Sequence, residues 1–238
     1  MSIGVLMLHG FSGGPYEILP LAKYIKDKTT NWIVGTPTFT GHGESEELDL
    51  KGYKAEHWLM DAEICYRNLA KKVDEVIVIG FSMGGVIALY LAKRYKVKKL
   101  VLLSAAAKYI APAQLLKDLR IIAEDAIRGQ LKDNELFKRY ENKLKNVPVS
   151  STVQFMKIVR QVEPYIRTIH VPTFIVQGQA DGIVPFATAQ YLFDELPSQE
   201  KYLFYSEKGK HHICYSDDCD VWFPEILNFM EGKKVLLK

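Results

Sequence analysis

The strongest constraint on the fold is the order of three signals within residues 76–91, which read VIVIGFSMGGVIALYL. Residues 76–79 form a β-branched run that is apolar at every position, a pattern typical of a strand buried on both faces of a parallel sheet. A glycine-flanked serine follows, and the small and apolar residues at 85–91 predict a helix. A strand that passes into a helix across so short a turn is a unit of a parallel sheet covered by helices.

The turn between this strand and this helix, residues 80–84, has the pattern G-x-S-x-G. A turn this sharp brings the backbone close to neighbouring chain, so a side chain at Gly80 or Gly84 would clash. The turn would also hold Ser82 in a strained conformation above the carboxyl end of the sheet, beside the amides of a helix N-terminus. We interpret Ser82 as a candidate nucleophile; the alternative is a glycine-rich helix start with an incidental serine.

The rest of the chain alternates between strand and helix signals. Strands are predicted at residues 3–8, 32–36, 100–103, 172–177 and 201–205, and helices at 16–28, 53–72, 188–196 and 221–230. Strands joined by helices form a parallel α/β sheet with helices on both faces, and in such sheets ligands bind beyond the carboxyl ends of the strands. The sequence therefore predicts an α/β fold whose functional site lies at that edge.

The alternation stops over residues 108–167, where every signal is helical. These helical signals lie at residues 112–128, 132–145 and 150–162. Because the insertion follows the fourth strand, near the carboxyl edge of the sheet, we interpret it as a lid over the site; the alternative is a helical subdomain with no role there. We accordingly divide the chain into an α/β core, residues 1–107 and 168–238, and a helical cap, residues 108–167.

Composition sets the broad class of the protein. A chain of 238 residues can bury one large core, and a net charge of +3 gives no indication of nucleic-acid binding. The cysteines Cys65, Cys214 and Cys219 follow no disulfide or zinc spacing, which is typical of a reducing compartment. The sequence has no signal-peptide pattern and no apolar stretch long enough for a membrane span, so we predict a cytoplasmic protein. It does not indicate an oligomeric state.

Two further side-chain types occur in loops at the same edge of the sheet. A serine hydroxyl is a weak nucleophile near neutral pH and needs a basic group, which itself needs an orienting carboxylate. Asp181 stands in the turn after the strand at 172–177, and His211 and His212 follow the strand at 201–205. An aspartate in a turn is also common for local capping, but its place one strand before the histidines favours a Ser…Asp…His order.

Several segments carry a resemblance to a known family: LMLHGFSGGP, TPTFTGHGES, GFSMGG, PTFIVQGQAD followed by IVP, and the histidine before the last helix. With the helical insertion, they make the chain resemble the α/β-hydrolase superfamily over essentially its whole length, in particular small bacterial carboxylesterases close to monoacylglycerol lipases. The resemblance implies an α/β-hydrolase fold with a small cap of three helices. It implies that Ser82 is the nucleophile and Asp181 the acid of the triad. The main-chain amides of Phe11 and Met83 would form the oxyanion hole.

Two features depart from the family pattern. The family usually has one or two strands before the His-Gly turn, whereas this sequence begins at the strand of that turn, so we expect a sheet of about six strands. The single histidine of the family is doubled here. In the family, the interval from the aspartate to the histidine and the interval from the histidine to the last helix both fit His211 here. The histidine of the family is usually followed by an apolar residue, however, and the apolar Ile213 follows His212. We predict His211 as the base, with His212 as the alternative. His9 and His42 are expected to order loops rather than to transfer protons.

The residues and the resemblance together predict a serine hydrolase that cleaves carboxylic esters in two steps through an acyl-enzyme. The expected substrate is a small, uncharged ester with a short to medium acyl chain, and the reaction needs no metal and no cofactor. The nearest alternative is a monoacylglycerol lipase, which the sequence does not separate from a carboxylesterase. An alternative of another class is a non-catalytic ligand receptor, because a fold does not determine a function.

Overall fold

The computed structural model describes residues 2–43, 48–108 and 147–236. Within them, six strands form one sheet: β1 (Ile3–Leu8), β2 (Trp32–Gly35), β3 (Glu75–Phe81), β4 (Lys99–Leu103), β5 (Thr173–Gly178) and β6 (Lys201–Ser206). Their order across the sheet is β2-β1-β3-β4-β5-β6, and every neighbouring pair is parallel. The predicted α/β sheet of about six parallel strands is confirmed.

The strand order reverses its direction between β1 and β3. From β1 the chain moves outward to β2, and it then adds β3 to β6 on the other side of β1. A crevice opens at such a point, beyond the carboxyl ends of the two strands, because the connections leave in opposite directions. The turns that follow Leu8 and Phe81 begin at this crevice.

The described residues also form six α-helices: α1 (Leu19–Lys28), α2 (Ala55–Ala70), α3 (Met83–Arg94), α4 (Val149–Val162), α5 (Ala187–Glu195) and α6 (Cys219–Glu231). On one face of the sheet, α2, α3, α4 and α5 contribute to a core that includes Leu6 and Leu8. On the other face, α1 and α6 contribute to a core that includes Val5 and Met7. Because successive strand residues point to opposite faces, a strand covered on both sides is apolar throughout, as β1 is.

The start of the first helix differs from the prediction of one continuous helix at residues 16–28. Residues Pro15–Glu17 form a 3-10 turn, and α1 begins only at Leu19. Ile18, between them, has φ −115° and ψ 2°, outside helical values. Pro20 lies in the first turn of α1, where its missing N–H is not needed, so a new helix can begin there. Glu17, the last residue of the 3-10 turn, is therefore buried rather than exposed on the surface of a helix.

The structure describes part of the predicted cap. Helix α4 corresponds to the helix predicted at 150–162, and a 3-10 helix, Glu163–Thr168, follows it. The helices predicted at 112–128 and 132–145 lie outside the described residues, so the division into core and cap stays a prediction. Of the helices that are described, none has the length and hydrophobicity that crossing a membrane requires.

Helix α4 is joined to the segment that leads into α2. Ser151 Oγ donates a hydrogen bond to the carbonyl of Leu50 at 2.8 Å, and the side-chain oxygen of Gln154 accepts the amide of Ala55 at 3.2 Å. Phe155 of the same helix is buried. These contacts hold α4 against the face of the sheet that α2 and α3 cover.

Candidate active site

Ser82 stands at the junction of β3 and α3 with φ 52° and ψ −116°. Non-glycine residues seldom occupy this region, and holding one there costs on the order of 1–3 kcal/mol. Three backbone hydrogen bonds secure it. Its N–H donates to the carbonyl of Leu103 (3.0 Å), and its carbonyl accepts the amides of Gly85 (3.0 Å) and Ala106 (3.2 Å). The end of β4 therefore stabilises the strained turn that the sequence predicts.

The two glycines of this turn are needed for space. A Cβ atom on Gly80 would lie 2.2 Å from the carbonyl oxygen of Gly84, and one on Gly84 would lie 2.3 Å from the carbonyl oxygen of Leu8. Both contacts are with backbone, so rotation of a side chain could not relieve them. The steric reason predicted for both glycines is confirmed. The second contact also shows that the start of α3 packs directly on the end of β1.

Three side chains from separate turns form a continuous hydrogen-bonded series. Ser82 Oγ lies 3.1 Å from Nε2 of His211, and Nδ1 of His211 lies 2.9 Å from Oδ2 of Asp181. The turns follow β3, β5 and β6, whose carboxyl ends share one edge of the sheet. The structure thus brings together Ser82, Asp181 and His211, whereas His212 contacts Glu17 instead.

The Asp181 carboxylate is fully buried and accepts hydrogen bonds from several neighbouring groups. Oδ1 accepts the amides of Ile183 (2.8 Å) and Val184 (2.9 Å), and Oδ2 accepts the side-chain amide of Gln177 (2.9 Å). Burial raises the pKa of Asp181, but the attraction and hydrogen bond of His211, together with the two backbone amides, lower it overall. An ionised Asp181 favours a proton on Nδ1 of His211, which leaves Nε2 able to accept the serine hydroxyl.

The loop after β1, residues 9–14, approaches the start of α3 beside Ser82. Met83 is the first residue of α3, and the amides of a first helical turn have no acceptor within their helix. In the part of the chain that the structure describes, neither the Phe11 amide nor the Met83 amide donates to a backbone carbonyl. Two such amides, if they face one point, can stabilise negative charge on a substrate oxygen.

His9 orders the start of this loop. Its Nε2 accepts the amide of Phe39 at 3.0 Å, which requires the ring proton to be on Nδ1, and Nδ1 lies 2.8 Å from the carbonyl oxygen of Gly10. The ring of His42 packs nearby, 5.2 Å from the rings of both His9 and Trp58. Both histidines are buried, and these contacts agree with the loop-ordering roles expected from the sequence.

The side chain of Phe11 connects the same loop to the helical insertion. Its ring stacks on Phe155 of α4 at 5.4 Å between centroids, and it meets Trp58 of α2 edge-on at 5.8 Å. Apolar ring surface therefore adjoins the residue whose amide is a candidate for the oxyanion hole.

Glu17 is a second buried carboxylate at this edge. Its Oε2 accepts the amide of Gly10 at 2.8 Å, and its Oε1 lies 3.2 Å from Nε2 of His212. Burial raises the pKa of Glu17, but the hydrogen bond and attraction of His212 lower it. His9 and the amide of Gly10 act in the same direction, so the pKa lies below its usual range.

Gln177 and Glu17 are the site residues that were not predicted from the sequence. A signal existed for Gln177, because it is a polar side chain that is buried in the otherwise apolar strand β5. No local signal marked Glu17, which the pattern at 16–28 placed in an ordinary surface helix. No cluster of three His, Cys, Asp or Glu side chains that could hold a metal ion occurs among the described residues.

Known proteins resemble the chain in sequence and in fold. The family model described as serine aminopeptidase, S33, matches residues 4–218. A carboxylesterase of Bacillus subtilis (strain 168) is 23% identical over 229 residues, which cover 95% of this chain and 92% of that protein. A thermostable monoacylglycerol lipase of Bacillus sp. (strain H-257) is 28% identical over 219 residues, which cover 90% and 84%. A solved structure from work on two metagenome-derived lipolytic enzymes has a TM-score of 0.77 at 23% identity, covering 97% of this chain and 94% of that one.

The family match begins at the second residue of β1 and includes β2 to β6 and the turns that carry Ser82, Asp181 and His211. The structural likeness, at an identity this low, shows a shared fold, and that fold is the one the sequence resemblance implied. The chain therefore has the α/β-hydrolase fold, is of the esterase and lipase type, and belongs to the serine aminopeptidase S33 family.

Proposed function

We propose that this protein is a serine hydrolase that cleaves carboxylic esters through an acyl-enzyme on Ser82. The observation that carries the proposal is the hydrogen-bonded series from Asp181 through His211 to Ser82 Oγ, with separations of 2.9 and 3.1 Å. Such a series lets a serine hydroxyl lose its proton as it attacks. The carboxylesterase and lipase relatives support an ester as the bond that is cleaved.

Acylation begins when Ser82 Oγ attacks the acyl carbon of the ester. Nε2 of His211 takes the hydroxyl proton, and the ionised Asp181 stabilises the imidazolium that results. The former carbonyl oxygen becomes an oxyanion, for which we propose the amides of Phe11 and Met83 as donors; a single donor of this kind is worth about 3 kcal/mol in studied enzymes. The bond to the alcohol then breaks, and the imidazolium returns the proton to the leaving oxygen.

Deacylation repeats these steps with water as the nucleophile. Nε2 of His211 takes a proton from water as the water oxygen bonds to the acyl carbon. The bond between that carbon and Ser82 Oγ then breaks, and the proton passes to the serine. The products are a carboxylic acid and the regenerated hydroxyl, and every proton is carried by groups that the structure describes at the site.

The proposed substrate is an uncharged ester with a short to medium acyl chain. The partly exposed ring of Phe11, in the candidate oxyanion loop, packs against the buried rings of Phe155 and Trp58, with 5.4 and 5.8 Å between centroids. Apolar side chains of this kind line sites for hydrocarbon groups. This apolar environment beside the proposed oxyanion donors supports an uncharged acyl group.

A second candidate within the same chemistry is hydrolysis of monoacylglycerols. The monoacylglycerol lipase of Bacillus sp. (strain H-257) favours it, because this relative is 28% identical to the chain. The two candidates differ in the leaving alcohol and share Ser82, His211 and Asp181. A non-catalytic receptor has less support, because it would have no use for a strained serine paired with a base.

A panel of substrates tests the reaction class. It contains p-nitrophenyl esters of increasing acyl length, 1-monoacylglycerols of the same acyl groups, and aminoacyl p-nitroanilides, which probe the peptidase activity in the family's description. We expect turnover of the esters, greatest for short to medium chains. A preference for the monoacylglycerols at equal acyl length would select the second candidate. Cleavage of the anilides without cleavage of any ester would overturn the proposal.

A substitution tests the nucleophile. Ser82→Ala should lower ester turnover by roughly 10⁴–10⁶-fold without loss of the fold, because the members of a triad act as a unit. A fluorophosphonate probe should label the wild type and spare this variant. Ser198, a buried serine that donates to the carbonyl of Glu200, is a matched control, and Ser198→Ala should be labelled normally. Near-normal turnover by Ser82→Ala would exclude the mechanism.

A further inference from the structure

The proposed reaction gives no role to Glu17, a buried carboxylate at the edge of the sheet that carries the candidate site. Glu17 is 1% exposed and lies at the end of the 3-10 turn before α1. A buried carboxylate is destabilising unless donors replace the water that it loses. The donors here are the amide of Gly10, at 2.8 Å, and Nε2 of His212, at 3.2 Å.

These two donors belong to the two loops that the reaction needs in a fixed relation. We call residues 9–14 the oxyanion loop and residues 207–215 the base loop. Gly10 directly precedes Phe11, whose amide is proposed for the oxyanion, and His212 directly follows His211, the proposed base. One carboxylate thus contacts both loops, each one residue away from a group that takes part in the reaction.

A second contact joins the same two segments at the surface. Tyr215, in the base loop, donates its hydroxyl hydrogen to the carbonyl of Tyr16 at 2.6 Å. Tyr16 is the neighbour of Glu17, so the two contacts lie side by side although each joins residues 199 or 195 apart in sequence. The contact between Glu17 and His212 differs from the contact between Tyr16 and Tyr215, because it joins a carboxylate to an imidazole and is largely buried.

Packing around Glu17 leaves little freedom to either loop. A Cβ atom on Gly13 would lie 2.0 Å from Oε2 of Glu17, so the oxyanion loop is folded tightly around the carboxylate. The rings of His211 and His212 both pack against Phe81, at 5.0 and 5.8 Å between centroids. Phe81 is the residue before Ser82. A shift of Glu17 or His212 would therefore move groups on both sides of the nucleophile.

We propose that Glu17 and His212 form a positioning pair, which holds the oxyanion loop and the base loop in the relation that the transition state requires. The inference rests on the proposed ester hydrolysis, and it gives the second histidine, a departure from the family pattern, a role. Neither residue touches a reacting atom. Because the pair acts on the geometry of the transition state, its loss should lower kcat and leave KM nearly unchanged.

The test compares two substitutions of similar size that differ in hydrogen-bond donors. His212→Gln keeps a donor for Glu17, whereas His212→Leu does not. We expect His212→Leu to lower kcat by about ten- to a hundredfold with KM within about twofold, because misplaced catalytic groups cost that much. His212→Gln should recover kcat to within about threefold of the wild type. Rates are measured with p-nitrophenyl butyrate and divided by the number of sites that a fluorophosphonate labels, so misfolded molecules do not count.

A double substitution tests whether the two residues act as a pair. His212→Leu leaves the Glu17 charge without its side-chain donor, and adding Glu17→Gln removes that charge. The double variant should therefore have a higher kcat than His212→Leu alone, which is a non-additive result. Glu225→Gln is the matched control, because Glu225 is also buried and accepts a backbone amide, that of Leu236, at 2.7 Å. It should leave kcat unchanged.

Several results would overturn the pair. One is an unchanged kcat per labelled site in His212→Leu, and another is a loss confined to KM. Equal losses in His212→Leu and His212→Gln would do the same, because the donor would then be irrelevant. A wild type that cleaves no ester rejects the proposed function and the pair with it, whereas an active wild type with unaffected variants rejects the pair alone.

Discussion

Backbone strain at single residues is concentrated around the candidate site. Among the described residues other than glycine, positive φ occurs at Ser12 (57°), Ser82 (52°) and Ser104 (43°). These serines follow β1, β3 and β4, which are neighbours in the sheet. Each such residue costs on the order of 1–3 kcal/mol and persists only where its surroundings hold it. The concentration of these strained residues at one edge of the sheet supports a functional role for that edge.

At the residue scale, substitution separates the two histidines. His211→Gln should lower ester turnover by roughly 10⁴-fold or more, because it removes the group that accepts the proton of Ser82. His212→Gln should lose no more than about threefold, since it still donates to Glu17. The measurement is kcat per mole of folded protein for both variants, because labelling by a fluorophosphonate itself depends on the base. Loss of turnover in His212→Gln with retention in His211→Gln would assign the base to His212.

At the scale of elements, the start of α3 and the end of β1 are in direct contact. A Cβ atom on Gly84 would lie 2.3 Å from the carbonyl oxygen of Leu8 and 2.5 Å from that of His9. Gly84→Ala must therefore displace the chain that leads to the Phe11 amide. We expect a loss of about 1–3 kcal/mol in the free energy of unfolding and a fall of about a hundredfold in kcat.

Urea unfolding and ester turnover check this prediction. The control is Gly35→Ala, because nothing lies within 4 Å of a Cβ atom added to Gly35 at the end of β2. It should retain wild-type turnover. If Gly84→Ala lost stability and kept its turnover, the oxyanion loop would not depend on this contact.

Helix α4 should influence which esters are accepted. Phe155 is buried and stacks on Phe11 at 5.4 Å, so Phe155→Leu should open space beside the candidate acyl site. The ratio of kcat/KM for octanoyl over butyryl esters should rise by about tenfold, the lower end of the discrimination that one methylene produces in an apolar pocket. Phe229→Leu, in the core on the opposite face, is the control for lost packing and should leave the ratio unchanged. An equal change in both variants would mean that α4 has no specific influence on which acyl chains are accepted.

At the scale of the whole molecule, sequence patterns predicted what depends on local periodicity. The strand β3 follows from its apolar residues, and its turn from the glycines at 80 and 84. The position of each imidazole could not be predicted in the same way, because Glu17, the partner of His212, lies 195 residues away in sequence. The break before α1 was missed because the periodicity at 16–28 is helical across it. A contact between distant segments, which no local pattern records, decided the position of His212, whereas the break coincides with Pro20, which allows a new helix to begin at Leu19.

The acid stability of the molecule should reflect the two buried carboxylates at the edge of the sheet. Burial raises the pKa of both Glu17 and Asp181, but hydrogen bonds and attraction to nearby histidines lower it by more. A carboxyl group with a lower pKa in the folded state binds fewer protons when folded. It therefore stabilises the fold above its unfolded pKa, and this stabilisation is lost as the pH falls through the folded pKa.

Glu17→Gln removes one of these groups, so its effect on the free energy of unfolding should depend on pH. The difference between the wild type and this variant should shrink as the pH falls below the unfolded pKa, about 4.3 for glutamate. Urea unfolding at a series of pH values measures it, and about 1 M salt should leave the pattern in place because the group is buried. A difference that stayed constant into strong acid would mean that folding does not change the pKa of Glu17. That result would contradict the hydrogen bonds from Gly10 and His212 that the structure gives to this carboxylate.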